Sequence, residues 1–209
     1  MRIKICGLTN PGDAMLAADL GATHIGLNFY PSSPRYLSAS RARTIISELR
    51  SLNTPPILVG VFVNEKAETV LRTLDDHDLD LAQLSGDEPD ETLLELGDYA
   101  YKAYRLGKPH IEKDKSKLVL LDAQVKGQYG GTGVTCDWDT AAEIAREYDV
   151  LLAGGLTPEN VGKAIRHVRP WGVDVSSGVE SAPGVKDAGK LKRFVENGCR
   201  SRSEERNFN

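Results

Sequence analysis

The chain has few of the residues that would tie it to a metal, a disulfide framework or a polyanion. Its three cysteines, at positions 6, 136 and 199, form an odd set with no Cys-x-x-Cys spacing. That pattern indicates neither a disulfide framework nor a zinc cluster and leaves reduced thiols as the default. The four histidines, at 24, 77, 110 and 167, are dispersed and form no HExxH pair, so a dedicated metal site has little support. No apolar run approaches the roughly 20 residues that cross a bilayer. The amino terminus carries Arg2, Lys4 and Asp13 and lacks the apolar stretch and cleavage site of a signal peptide, so a cytoplasmic address with no membrane partner is expected. With 26 Lys and Arg against 30 Asp and Glu, the net charge is -4. No basic field exists, and nucleic acid is disfavoured as a partner. Small molecules remain.

What is present is regular alternation. At 209 residues, 40% hydrophobic and 27% charged, the chain reads as one globular domain. Apolar, β-branched runs recur at Arg2 to Cys6, His24 to Asn28, Ile57 to Val63, Leu79 to Leu84, Ala100 to Arg105, Leu118 to Asp122, Val150 to Ala153 and Gly172 to Val175. Between them lie helix-opening signals such as Asn10-Pro11, Ser40 and Thr157-Pro158. Strand and helix in alternation predict βαβ units, and eight of them in about 200 residues fit a closed barrel better than an open sheet. The expected class is α/β, a single (β/α)8 TIM barrel. Between Leu106 and Lys117, Gly107, Pro109 and a run of charges leave room for only a degenerate fifth helix. Residues 1–200 form the predicted barrel, and the polar stretch 201–209 is a tail expected to fray beyond the last helix.

In such a barrel chemistry gathers at the carboxyl ends of strands. Cys6 ends the first strand, and the glycine after it is expected to leave the sulfur exposed and the backbone open to a ligand. Asp122 ends the sixth. Period two puts Lys4 with Cys6, and Leu118 and Leu120 with Asp122, on one face. Cys6 is read as either a catalytic thiol or a small hydrophobe, and Asp122 as either an acid or a cap on backbone amides. After the seventh strand come Gly154 and Gly155; after the eighth, Asp174-Val175-Ser176-Ser177-Gly178. Glycine turns at these two strand ends point to a phosphate site built from amides, with Ser176 and Ser177 as hydroxyl donors, although glycine also makes ordinary turns. Arg35, between prolines in Pro31-Ser32-Ser33-Pro34-Arg35, is positioned to clamp a carboxylate; a solvated surface arginine is its alternative. Gly130-Gly131-Thr132-Gly133 lies in a long loop after Asp122, which either folds over a ligand or is simply flexible surface.

Six segments taken together resemble one family. Lys4-Ile5-Cys6-Gly7-Leu8-Thr9, Phe29-Tyr30-Pro31-Ser32-Ser33-Pro34-Arg35-Tyr36, Val59-Gly60-Val61-Phe62-Val63-Asn64, Leu121-Asp122 with Gly130-Gly131-Thr132-Gly133, Ala153-Gly154-Gly155-Leu156 and Asp174-Val175-Ser176-Ser177-Gly178-Val179-Glu180 resemble phosphoribosylanthranilate isomerase. The resemblance spans nearly the whole chain. It implies an Amadori rearrangement of N-(5'-phosphoribosyl)anthranilate to 1-(2-carboxyphenylamino)-1-deoxyribulose 5-phosphate in tryptophan biosynthesis, with no cofactor and no metal. It assigns the general base to Cys6, the general acid to Asp122, the anthranilate carboxylate to Arg35 and the phosphate to the amides around Gly154, Gly155, Ser177 and Gly178, with Asp174 orienting the site. Free cysteine titrates near 8.5 and free aspartic acid near 3.9, so these roles need a site that favours thiolate and protonated carboxyl. Lys4 is a candidate source of the positive charge.

One position departs from the family. Where it commonly reads Gln-Leu-His-Gly-Asp-Glu, this chain has Gln83-Leu84-Ser85-Gly86-Asp87-Glu88, and serine cannot carry imidazole charge. The competing readings are another phosphosugar barrel enzyme, a flavin-binding barrel using the same phosphate loops, and a non-catalytic phosphosugar-binding barrel. Monomer and homodimer both stay open.

Overall fold

The computed structural model describes residues 1–105, 117–122 and 137–206. Eight parallel strands close into a barrel: β1 (Arg2–Cys6), β2 (His24–Asn28), β3 (Ile57–Phe62), β4 (Leu81–Leu84), β5 (Ala100–Arg105), β6 (Leu118–Asp122), β7 (Asp149–Ala153) and β8 (Gly172–Val175). β8 returns to pair with β1, Lys4 lying opposite Asp174. The strand ends read from sequence at Cys6, Asp122 and Ala153 fall at those residues. β4 begins at Leu81 and not Leu79, because the Leu79 amide turns back to the Leu74 carbonyl at 2.9 Å and closes the preceding helix.

Seven α-helices are found among the described residues: α1 (Pro11–Asp19), α2 (Ala39–Arg50), α3 (Ala67–Asp76), α4 (Asp90–Leu96), α5 (Trp138–Ile144), α6 (Val161–Val168) and α7 (Ala188–Arg206). The expected signals act locally. Asn10 caps α1 by accepting from the Asp13 amide at 2.8 Å, with Pro11 in the first turn. Thr157-Pro158 does not itself open α6. The Thr157 amide donates to Asn160 Oδ1 at 2.8 Å, and Asn160 Nδ2 to the Gly155 carbonyl at 2.9 Å, so these polar residues tie down the β7–α6 loop and the helix starts at Val161. The degenerate fifth helix expected after β5 falls on residues outside those described, as does the glycine cluster at 130–133.

The tail is a correction. α7 runs through Arg206, past the boundary expected at 200. Ser201 is buried; it donates to the Asn197 carbonyl at 2.9 Å and accepts from Arg166 Nη1 at 3.3 Å. The docked Ser201 extends the helix, and glutamate and arginine beyond it are good helix formers. After β8 the chain also makes an unforeseen antiparallel hairpin, β9 (Glu180–Ala182) with β10 (Val185–Lys186).

Period two divides the strands into two cores. Ile3, Ile5, Ile25, Leu27, Val119, Leu121, Val150, Leu152 and Val173 belong to the cluster shared with the helices. Val59, Tyr101, Leu120, Leu151 and Ala153 form a second cluster, and Lys4, His24 and Gln83 are buried polar residues of the same strands. At the amino-terminal end of the strands the Arg2 guanidinium lies 4.4 Å from the Trp171 ring centroid and His24 meets that ring edge-on at 5.6 Å.

His24 makes stability pH-dependent. Burial first, then the charges of Lys4 and Arg2, push its pKa down from 6.5 to about 4. The unfolded chain takes up this proton near 6.5 and the folded chain does not, so stability is intact above that pH and falls as pH drops toward 4. The full difference is about 3 kcal/mol, at about 1.4 kcal/mol per pH unit. Between about pH 7 and about pH 4.5 in urea denaturation, His24→Gln should lose about 2 kcal/mol less than the parent chain. Equal losses in the two proteins would remove His24 as the cause.

Candidate active site

The site is built around the carboxyl end of β1. Lys4 is 0% exposed, and its ammonium donates to Asp174 Oδ1 across the β1–β8 seam at 2.8 Å. Burial opposes the Lys4 charge, but the Asp174 carboxylate outweighs it, helped by Cys6 and Tyr101, and holds the Lys4 pKa above its ordinary value. Space for the ammonium comes from Gly26 on β2. A Cβ there would lie 2.8 Å from Cys6 Sγ and 3.1 Å from Lys4 Nζ, so thiol and ammonium converge on the same small gap. Only glycine leaves both where they are.

Cys6 itself is 9% exposed and buried, contrary to the exposed sulfur expected from its position. Gly7 explains this. With φ at +72° it turns the chain inward and donates to the Gly26 carbonyl at 2.9 Å, and the Arg35 side chain lies against the face where Gly7 lacks a Cβ, beside Ser176.

Arg35 has a partner the sequence reading did not supply. Its Nε and Nη2 donate to the two carboxylate oxygens of Glu180 at 2.8 and 2.6 Å. Glu180 also accepts from Lys186 Nζ at 3.0 Å, and that buried ammonium donates to the backbone carbonyls of Cys6 at 2.7 Å and Ser176 at 3.2 Å. Burial pushes the Glu180 carboxyl up, but the Arg35 hydrogen bonds and the Lys186 charge win and hold it below the usual range.

A cavity of about 260 Å³ opens next to this cluster, near the lower end of small-molecule sites at about 300–1,000 Å³. Asp122, Gly154, Gly155, Asp174, Ser176, Ser177 and Gly178 all line it. Cys6 and Arg35 do not; they sit beside it, joined to it through Lys4–Asp174 and through Gly7 and Ser176. A Cβ on Gly178 would overlap the Leu156 carbonyl, so the β7 and β8 loops approach closely because this residue is glycine. Ser85 also lines the cavity. The buried Tyr101 hydroxyl donates to Gln83 Oε1 at 3.1 Å, and Gln83 Nε2 donates to Ser85 Oγ at 3.0 Å; Ser85 accepts there and keeps its own proton to give. Among the described residues no group of three His, Cys, Asp or Glu gathers as metal ligands, and no helix is long and apolar enough to cross a membrane.

Sequence reasoning missed Gly26, Tyr101, Gln83, Glu180 and Lys186. Glu180 closed a quoted motif without a role, and Gln83 opened another. Gly26 and Lys186 carry no local signal, since each is defined by partners far away in the chain.

The family model for N-(5'-phosphoribosyl)anthranilate isomerase matches residues 3–197. The chain belongs to this family. It is 44% identical over 200 residues to the N-(5'-phosphoribosyl)anthranilate isomerase of Geotalea uraniireducens, covering 93% of this chain and 96% of that one. The phosphoribosyl anthranilate isomerase of Thermotoga maritima is similar in structure, with a TM-score of 0.84 at 39% identity, over 96% of this chain and 99% of the other. A further isomerase structure, in complex with reduced 1-(o-carboxyphenylamino)-1-deoxyribulose 5-phosphate, has a TM-score of 0.80 at 37% identity, with 96% and 99% covered.

The seam pair makes a stability prediction. Lys4→Met strands the Asp174 carboxylate in the interior and should cost about 3–5 kcal/mol, whereas adding Asp174→Leu should recover part of the loss. Chemical denaturation of both variants checks this; a double variant less stable than the single one would contradict the pairing.

Proposed function

We propose that the chain catalyses the Amadori rearrangement of N-(5'-phosphoribosyl)anthranilate to 1-(2-carboxyphenylamino)-1-deoxyribulose 5-phosphate, with Asp122 as acid and Cys6 as base. The observation that carries this reading is a single cavity bounded by Asp122 at the end of one strand and by Gly154, Gly155, Ser177 and Gly178 in the loops after two others, with Cys6 beside it. In it the phosphate takes the glycine-rich β7 and β8 ends, where amides of a short 3₁₀ turn, Ser177–Val179, begin. The sugar then lies toward Asp122 and the β1 end.

Ring opening comes first. Asp122 gives its proton to the furanose oxygen as the anilino nitrogen lone pair forms the C1'=N bond and the C1'–O bond breaks. The protonated Schiff base acidifies C2', and the Cys6 thiolate takes that proton to leave the enolamine. Ketonisation gains a proton at C1' and loses one from the C2' hydroxyl, so the isomerisation is proton-neutral overall and nothing is oxidised or reduced. Acid and base on different strands suit two proton transfers at different atoms of one sugar. Lys4 supplies positive charge beside the thiol, and Asp174, bonded to Lys4, positions and does not react. Holding the substrate at phosphate and carboxylate orients C2' for the transfer.

Loss of phosphoribosylanthranilate fluorescence measures the reaction directly. Cys6→Ser and Asp122→Asn should each lower kcat by at least about 100-fold, as expected for removal of a general acid or base. Undiminished turnover in both variants would refute these roles.

A further inference from the structure

The β9–β10 hairpin supplies two charged residues that the proposed chemistry does not use. Glu180 holds Arg35 through its Nε and Nη2 edge, at 2.8 and 2.6 Å. A guanidinium has five N–H donors in a planar fork, and Glu180 engages only the side edge. The end edge, Nη1 with the second Nη2 hydrogen, has the geometry for a second bidentate carboxylate.

Charge points the same way. Arg35 and Lys186 are two cations sharing one carboxylate, Glu180. The Lys186 side chain is 0% exposed and that of Glu180 5%, so water screens neither well, and the cluster holds one positive charge more than it neutralises. The same ammonium bonds the Cys6 and Ser176 carbonyls. The hairpin is itself fixed: the Lys186 amide donates to Asp13 Oδ2 at 2.8 Å, and Thr9 Oγ1 to the Gly184 carbonyl at 2.6 Å. Arg35 thus stands on a buried base and is not a loose surface arginine.

We propose that Glu180, braced by Lys186, is the positioning residue that aims Arg35 at the substrate carboxylate, making the β9–β10 hairpin the element that selects carboxylate-bearing substrates. This rests on the isomerase reading above and extends it to residues outside the reacting set.

The test is a specificity ratio. The parent chain and Glu180→Gln are assayed on N-(5'-phosphoribosyl)anthranilate and on the same phosphoribosylamine made from aniline, which lacks the carboxylate. If the parent chain does not turn over the anthranilate substrate, the isomerase reading itself fails. With that turnover present, Glu180→Gln should lower the ratio of kcat/KM, carboxylated over uncarboxylated, by about 10-fold, the value of about one charge-assisted hydrogen bond, mainly through KM of the carboxylated substrate. Glu180→Asp keeps the charge but shortens the arm and should lower the same ratio, which keeps the test available if the glutamine variant folds poorly. Parallel losses on both substrates, with the ratio within about 2-fold, would mark Glu180 as merely structural and overturn the proposal.

Discussion

The ion pair between Lys4 and Asp174 joins the architecture to the site. It spans the seam where the last strand returns to the first, so the contact that closes the barrel also places an ammonium beside Cys6. Two charges inside a barrel are expensive to desolvate and persist only when paired at good geometry; 2.8 Å across neighbouring strands meets that condition. Its consequences spread outward. Gly26 must lack a side chain, Asp174 is committed to Lys4 on one oxygen, and Cys6 occupies a pocket whose positive charge is built into the fold.

A second cluster, Arg35–Glu180–Lys186, approaches Cys6 from the loop side and binds its backbone carbonyl where Lys4 approaches its sulfur. The two clusters differ in kind. Lys4–Asp174 is balanced, whereas the outer cluster has two cations on one carboxylate. Cys6 is thus held between a neutral pair and a cationic group. Through Ser176 and the close packing of Gly178 on Leu156, the same framework continues into the β7 and β8 loops. β1 and the loops after β7 and β8 are therefore parts of one packed and hydrogen-bonded structure.

Much of this was legible in the chain because it is periodic or local. Alternating runs located the eight strands, Asn10-Pro11 marked the first helix, and the strand-end rule selected Asp122, Gly154, Gly155, Asp174, Ser176, Ser177 and Gly178, which share one cavity. What escaped depends on distant contacts. The burial of Cys6 follows from the φ of Gly7 and the overlying Arg35; the engagement of Arg35 needs Glu180, 145 residues away; and Lys186 meets the Cys6 carbonyl across 180 residues. The tail was misjudged because its polar composition suggests fraying, while Ser201, by docking on Asn197 and Arg166, carries the helix onward.

The central claim, an acid and a base on different strands around a sugar fixed at its phosphate, is tested most directly by a crystal structure of this chain with reduced 1-(2-carboxyphenylamino)-1-deoxyribulose 5-phosphate. The expected complex has the phosphate at Gly155, Ser177 and Gly178, the carboxylate on the end edge of Arg35, Asp122 on the opposite side from the thiol, and C2' about 3–4 Å from Cys6 Sγ, within near-attack range. A complex with the phosphate at another strand end, or with C2' beyond about 6 Å from the sulfur and outside that range, would contradict it.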